Sequence, residues 1–123
     1  MRRAKDRRVL RETPVAFVAN GVTVEGQIDL VYEEDDASLV VVDFKTDAVA
    51  DEAGARERAE DYRAQLALYA RALELATGRT VRDTVLLFLA PGVEIRIPHD
   101  ERAREAAASA IAAAADSRAQ RPR

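Results

Sequence analysis

Two short apolar runs separated by a long amphipathic segment place the strongest constraint on the fold. The runs Leu39–Thr46 and Val81–Leu89 are apolar enough to form strands that are buried on both faces. Between Glu52 and Thr77, apolar residues recur at three- and four-residue steps, which predicts a helix, and Gly78 suits its C-terminal cap. A strand, a helix and a strand in this order form a right-handed crossover, so we expect the two strands to lie parallel in one sheet.

The remaining segments add antiparallel strands and a second helix. Asn20-Gly21 is a strong turn signal, and the residues after it alternate between apolar and polar types as far as Tyr32. Asp100 precedes an Ala- and Arg-rich stretch that predicts a helix to about Ala119. The predicted fold class is therefore α/β, with a mixed β-sheet flanked by helices. Its additional strands are Val9–Val18, Val22–Tyr32 and Val93–Ile97.

Composition limits the chain to one domain. Its 123 residues suffice for a single core, and 48% apolar with 33% charged residues is typical of a soluble globular protein. No stretch approaches the roughly 18 apolar residues of a membrane span, and the absence of cysteine fits a reducing compartment. We therefore expect a cytoplasmic protein with no membrane partner. The net charge of −3 argues against DNA binding through basic residues alone, but a divalent metal that bridges carboxylates to phosphate would remove this objection.

The hairpin that joins the second and third predicted strands brings acidic residues together. If its turn is centred near Asp36, Asp29 lies directly opposite Asp43. Their Cβ atoms are then ~4.5–5.5 Å apart on one face of the sheet, and Lys45 points to the same face. The alternate positions should point to the other face and form the core: Ile28, Leu30, Val42 and Phe44.

Facing carboxylates destabilise a strand pair, so this arrangement needs an explanation. A divalent cation between Asp29 and Asp43 supplies one, because two carboxylates and a backbone carbonyl offer hard oxygen ligands while its other positions stay open to water and phosphate. Lys45 would then orient the attacking water or stabilise charge on the phosphate. A solvated Asp–Lys pair on an outer face is the competing interpretation. Against it, Asp43 ends an apolar run, where a partly buried carboxylate needs a partner.

Other polar residues have both structural and functional interpretations. Gln65 lies one helical turn before Tyr69 and falls inside an apolar stripe, where a buried amide needs partners that an active site would supply. Tyr69 is equally compatible with a core aromatic. His99, the only histidine, is expected to cap the last helix or to face solvent. The stretches Arg2–Arg11 and Arg102–Arg123 are candidates for DNA contact, with solvated helix faces and ends as the default.

Four motifs in the chain resemble a known family by their order and spacing. The resemblance extends from about Val9 to Leu89 and is to the PD-(D/E)xK nuclease domain of RecB- and AddA-type helicase–nucleases, which has a restriction-endonuclease-like fold. The motifs are Glu12-Thr-Pro14, Gly26-Gln-Ile-Asp29-Leu-Val, Val42-Asp43-Phe-Lys45-Thr46 and Gln65-Leu-Ala-Leu-Tyr69.

The resemblance implies a metal-dependent deoxyribonuclease. Asp29, Asp43 and the carbonyl of Phe44 would ligate Mg²⁺ or Mn²⁺, and Lys45 would be the catalytic lysine. Such a domain hydrolyses phosphodiester bonds of DNA. Its partners would be single-stranded DNA ends, a helicase domain of the same full-length chain and a partner helicase–nuclease subunit. The expected context is double-strand-break repair and recombination.

The resemblance also assigns supporting residues and reveals a departure. Gln65 and Tyr69 would organise the site together, and Glu12 would lie near it. Nothing before Val9 matches the upstream helical segment whose histidine reaches the metal in this family, and His99 lies in the wrong place to replace it. We therefore expect residues 1–123 to be a single nuclease domain without this segment, from the C-terminal part of a larger helicase–nuclease and weakly active in isolation.

Two other functions stay open. A nuclease fold whose chemistry has decayed would serve as a scaffold for DNA or subunit contacts, but both aspartates and the lysine are present here. A stand-alone nuclease of another pathway, such as CRISPR adaptation, is less consistent with the long final helix.

Overall fold

The computed structural model describes residues 9–19, 21–90 and 92–119. The strands are β1 (Val9–Ala19), β2 (Val22–Glu33), β3 (Leu39–Lys45), β4 (Val81–Phe88) and β5 (Val93–Pro98), and the helices are α1 (Glu52–Thr77) and α2 (Glu101–Ala119). Every predicted element is present, with bounds that differ by one residue at most. Asn20 and Pro91 of the predicted turns, and the outer ends of the two arginine-rich stretches, lie outside the described residues.

The five strands form one mixed sheet in the order β1-β2-β3-β4-β5. β3 and β4 pair in parallel, which confirms the predicted crossover through α1. The other neighbours are antiparallel. Since β3 and β4 run in the same direction, their C-terminal residues lie at the same end of the sheet. Asp43 and Lys45 lie at this end of the sheet. No helix in the described ranges is both long and apolar enough to cross a membrane.

Helix α1 begins and ends at capping residues. The Asp51 carboxylate accepts a hydrogen bond from the Gly54 N–H at 2.8 Å, which satisfies an amide that has no partner within the helix. At the other end Gly78 adopts a φ of 70°, a left-handed conformation that glycine tolerates, and its N–H bonds to the Glu74 carbonyl. These caps fix which part of the chain crosses the sheet between β3 and β4.

Three clusters of buried side chains form the core. α1 covers two of them on one face of the sheet, one around Val41 and Leu73 and the other around Leu66 and Phe88. Each such fully buried large side chain contributes about 1.5–3 kcal/mol relative to an exposed one. The third cluster lies on the opposite face and contains only strand residues: Leu30, Tyr32, Val40, Val42 and Val85, with Val9 packed against them.

Two side chains depart from the predicted core face. Phe44, expected in the core beside Val42, is 37% exposed. Ile28 is buried, but it packs in the cluster of Val31 instead of the cluster of Leu30. Because Ile28 and Val31 lie in the same cluster, the strict alternation of side chains along β2 is broken between them. Asp29 lies within this break.

A buried ionic cluster joins α1 to β4 and α2 at the end of the sheet remote from Asp43. Glu74 accepts hydrogen bonds from the Arg104 guanidinium at 2.9 and 3.1 Å and from the Val81 N–H at 3.0 Å. His99 Nε2 lies 3.3 Å from the same carboxylate. His99 is only 4% exposed, so the expectation that it caps a helix or faces solvent was wrong.

Candidate active site

The β2–β3 pairing opens at the two aspartates. Paired residues run from Glu33–Leu39 to Leu30–Val42, which confirms the predicted register and places Asp29 and Asp43 one position beyond the last pair. There the Asp29 carboxylate accepts a hydrogen bond from the backbone N–H of Phe44 at 2.8 Å. The Asp29 side chain therefore reaches across to β3, next to Asp43.

Asp43 and Lys45 form a close and largely buried ion pair. Lys45 Nζ lies 2.8 Å from Asp43 Oδ2, and the two side chains are 17% and 16% exposed. Burial and the neighbouring Asp29 carboxyl group raise the pKa of Asp43 to about 6, although the hydrogen bond and charge of Lys45 act in the opposite direction. Burial lowers the pKa of Lys45, but the hydrogen bond and charge of Asp43 outweigh this effect and raise it overall. Lys45 is therefore charged at neutral pH.

The donor chemistry of the site fits a divalent cation. Asp29 and Asp43 offer hard carboxylate oxygens side by side, and a cation between them would favour the ionised form of Asp43, whose pKa burial and the Asp29 carboxyl group raise. Among the described residues, no group of three or more Asp, Glu, His or Cys side chains could hold a metal ion. The side chains of Asp29 and Asp43 would therefore supply two ligands to a cation, and backbone carbonyls, water or substrate would occupy its other coordination positions.

An aromatic ring from α1 covers Lys45. Lys45 Nζ lies 3.8 Å from the centroid of the Tyr62 ring, which is a cation–π contact. The Tyr62 hydroxyl donates a hydrogen bond to Asp47 at 2.8 Å, and Asp47 also pairs with Arg58 at 3.3 Å. Neither Tyr62 nor Asp47 was predicted from the sequence to belong to the site. Their positions in the sequence could have indicated it. Asp47 follows Lys45 by two residues, and Tyr62 lies on the apolar stripe of α1 that faces the sheet.

Gln65 and Tyr69 bond to each other, and Tyr69 packs against β2. Gln65 Nε2 donates a hydrogen bond to the Tyr69 hydroxyl at 3.1 Å. A Cβ atom on Gly26 would overlap ring carbons Cζ and Cε1 and the hydroxyl oxygen of Tyr69. Because Gly26 shortly precedes Asp29, this contact fixes α1 against the strand that carries the first aspartate. Gln65 is exposed, so the expectation of a buried amide was wrong; Leu66 is the buried residue at this point of the helix.

Glu12 lies across from Asp29 on β1. In the β1–β2 register Arg11 pairs with Leu30 and Thr13 pairs with Ile28. Glu12 and Asp29 therefore lie opposite each other, although these two residues are not themselves paired. Glu12 is exposed and has a φ of 49°, a left-handed conformation that is unfavourable for a residue with a Cβ atom. This register places Glu12 beside the site, and its supporting role stays a prediction.

A family model described as the PD-(D/E)XK nuclease superfamily matches residues 1–122. The chain belongs to this superfamily. Asp43-Phe44-Lys45 has the form of the (D/E)XK part of the superfamily's name, and the assignment of Asp29 as the first acid stays a prediction. The residue before Asp29 is Ile28 and not the proline of the superfamily's name.

Relatives of this nuclease domain are far longer proteins. An ATP-dependent helicase/nuclease subunit of Lachnoclostridium phytofermentans is 41% identical over 76 residues, which cover 62% of this chain and 5% of the relative. The protein of the same description from Clostridium acetobutylicum is 32% identical over 95 residues, covering 77% of this chain and 7% of the relative. The chain thus spans only a small part of the length of the curated relatives that it matches.

A solved structure supports the fold. The crystal structure of SSO0001 superposes with a TM-score of 0.56 at 14% identity, and the match covers 89% of this chain and 50% of that one. The mixed sheet with its crossover helix is therefore an arrangement found in an experimental structure, and the resemblance to PD-(D/E)xK nucleases drawn from the four motifs is confirmed by the family match.

Proposed function

We propose that this domain hydrolyses phosphodiester bonds of DNA with Mg²⁺ or Mn²⁺. The observation that carries the proposal is the convergence of Asp29, Asp43 and Lys45 where β2 and β3 separate. A divalent ion bound between the carboxylates would supply a Lewis acid for the phosphate and a more acidic water at neutral pH.

The residues of the chain would each have a distinct task. Asp29 and Asp43, with the Phe44 carbonyl, would hold the ion. Lys45 carries its charge 2.8 Å from Asp43, so it can donate a hydrogen bond to a water or phosphate oxygen beside that carboxylate and stabilise charge that develops there.

The supporting residues would set the shape of the site. Gln65 and Tyr69 would keep α1 at a fixed distance from β2, because the Tyr69 ring fills the space over Gly26. Glu12, opposite Asp29, would add negative charge at the exposed side of the site. Neither task requires these side chains to touch the substrate.

We propose further that the substrate is single-stranded DNA ends delivered by a helicase during double-strand-break repair and recombination, in the cytoplasm. Support comes from relatives described as ATP-dependent helicase/nuclease subunits, of whose length this chain matches 5% to 7%. A helicase domain of the same full-length chain and a partner helicase–nuclease would hold the DNA. This arrangement would remove the difficulty that the chain itself carries a net charge of −3.

Cleavage of a labelled single-stranded oligonucleotide with Mn²⁺ tests the proposal. Asp43→Asn and Lys45→Ala should each lower the rate by about 100-fold or more, the effect of removing one electrostatic group from such a site. Asp83→Asn is the matched control. The Asp83 side chain is 14% exposed and pairs with Arg96 at 2.9 Å, much as Asp43 pairs with Lys45, but it lies away from the site. This variant should cut at nearly the wild-type rate.

Three outcomes would contradict the proposal. Metal-dependent cutting that survives both substitutions at the site would remove Asp43 and Lys45 from the chemistry. An equal loss of cleavage rate in Asp83→Asn would show that the losses at Asp43 and Lys45 come from impaired folding. A folded wild-type protein that neither binds Mn²⁺ nor cuts DNA would favour the scaffold.

A further inference from the structure

We infer that Tyr62 is a positioning residue for Lys45, and that Asp47 and Arg58 hold the Tyr62 ring in place. The inference rests on the proposed nuclease function, since it concerns the reacting position of the lysine. Its geometric part is independent of activity, because the 3.8 Å contact between the ring and Lys45 Nζ joins two side chains of the chain itself.

Lys45 needs an anchor besides Asp43. A lysine side chain has four rotatable bonds and loses much rotamer freedom when its ammonium is fixed. In the structure its ion-pair partner is Asp43, but the oxygen of Asp43 that contacts Nζ belongs to a carboxylate that is also proposed to hold a cation. The Tyr62 ring, in contrast, contacts Lys45 but is not a proposed ligand of the cation. It attracts the ammonium through its face and does not compete for the carboxylate.

The Tyr62 ring is itself held from two sides. Its hydroxyl donates a hydrogen bond to Asp47 at 2.8 Å, and Arg58 Nε pairs with the same Asp47 oxygen at 3.3 Å. The ring also packs against the core cluster that contains Leu66. Asp47 lies in the segment between β3 and α1, so these contacts join the strand that carries Lys45 to the helix that covers it.

The position of Lys45 can be measured by NMR in the metal-free 123-residue chain. The sequence contains only two lysines, Lys5 and Lys45, so lysine labelled with ¹³C gives two sets of signals, and Lys45→Arg assigns them. The ring current should shift the ε-methylene protons of Lys45 upfield in the wild type, and less far upfield in Tyr62→Phe, which keeps the ring but loses its hydrogen bond to Asp47. In Tyr62→Leu the signal should return to the position of a solvated lysine. An unshifted signal in the wild type, or one unchanged by Tyr62→Leu, overturns the inference.

The kinetic consequence separates positioning from simple packing. Tyr62→Leu should lower kcat by about tenfold, within the range of a partly buried cation–π contact, with little change in KM. Tyr62→Phe should restore kcat to within about threefold of the wild type. Val93→Ala is the matched control, because Val93 packs against the same core cluster as Tyr62. This variant should lower the unfolding temperature without changing kcat.

Each kinetic result is decisive when combined with the NMR comparison. A wild-type kcat in Tyr62→Leu, or an equal loss of kcat in Tyr62→Leu and Val93→Ala, overturns the inference. If the wild-type chain cuts no DNA at all, the proposed function fails instead. The lysine signals alone then support or overturn the placement of Lys45 by Tyr62.

Discussion

The Asp29 carboxylate accepts a hydrogen bond from the Phe44 N–H at 2.8 Å, so a side chain of β2 bonds to β3 just beyond the point where backbone pairing stops at Leu30–Val42. An amide that loses its strand partner needs another acceptor, and Asp29 provides it. The same bond turns the Asp29 carboxylate toward Asp43. Opening of the sheet and assembly of the two acids therefore have one structural cause.

Substitutions at Asp29 should separate charge from hydrogen bonding. Asp29→Asn keeps an oxygen that can accept from Phe44, so the free energy of unfolding should change by less than about 1 kcal/mol. Asp29→Ala leaves the amide without this acceptor and should cost about 1–2 kcal/mol. Both variants should lose metal-dependent cleavage. Urea unfolding and oligonucleotide cleavage measure the two effects, and an alanine variant as stable as the asparagine variant would contradict the role given to the bond.

Asp43→Asn should make the metal-free protein more stable at alkaline pH. Burial and Asp29 raise the pKa of Asp43 from 3.8 to about 6. A group whose pKa is raised on folding stabilises the fold below its unfolded value, and this contribution is lost as the pH rises through about 6. At pH 8 the neutral asparagine should therefore raise the free energy of unfolding by about 1–2 kcal/mol, and at pH 4 the difference should vanish.

Mn²⁺ should reverse this order of stability. A cation that binds the folded wild type but not Asp43→Asn stabilises the wild type alone. Thermal unfolding of both proteins at pH 8, with EDTA and with Mn²⁺, makes the comparison. An Asp43→Asn protein that is less stable than the wild type in EDTA would show that Asp43 contributes to folding, contrary to the electrostatic argument.

Much of the fold follows from local patterns in the sequence. The apolar runs of β3 and β4 with the helix between them predict the parallel crossover, and Gly78 predicts where that helix ends. The turn near Asp36 predicts the β2–β3 register and hence the approach of Asp29 to Asp43. These features depend on residues close in the chain, or on a handedness that nearly all such crossovers share.

What the sequence did not predict depends on contacts between distant segments. Regular alternation placed Ile28 and Phe44 in one core face, but the side chain of Asp29 interrupts the ladder between them. Helical periodicity placed Gln65 in the buried stripe, but it cannot resolve a boundary position next to Leu66. The burial of His99 depends on Glu74, a partner 25 residues away that no local pattern indicates.

Gly26→Ala should destabilise the protein through Tyr69. A Cβ atom at residue 26 would overlap the Tyr69 ring, and overpacking of this kind costs about 1–3 kcal/mol. In Gly26→Ala/Tyr69→Leu the loss should be smaller than the sum of the single losses, because the smaller side chain leaves room for the methyl group. Gly21→Ala is the control: nothing lies near a Cβ there, so its cost comes from its φ of 76° and should be additive with Tyr69→Leu. Additive losses at Gly26 would rule out the contact.

Glu74 should make the stability of the protein fall in acid. Burial alone would raise the pKa of Glu74, but the hydrogen bonds from Arg104 and the Val81 N–H, and the charge that His99 carries once it is protonated in acid, lower it to about 2. A group whose pKa is lowered on folding stabilises the fold above its unfolded value of 4.5, and this contribution is lost as the pH falls toward 2. The loss should be roughly 2–3 kcal/mol. His99 acts in the same direction, because burial lowers its pKa from 6.5 and it is held uncharged.

Urea unfolding at pH 7, 5 and 3 measures this dependence in the wild type and in Glu74→Gln. The variant should be less stable by about 2–3 kcal/mol at pH 7 and should approach the wild type at pH 3, since the Glu74 carboxylate of the unfolded wild type, with its ordinary pKa of 4.5, is then protonated. Glu60→Gln, which removes an exposed ion pair with Arg63 on the same helix, should change stability by less than about 1 kcal/mol at every pH. Cleavage per folded molecule should be unchanged in Glu74→Gln, because Glu74 lies at the end of the sheet remote from Asp43. If the free energy of unfolding of Glu74→Gln falls between pH 7 and pH 3 as much as that of the wild type, groups other than Glu74 cause the pH dependence.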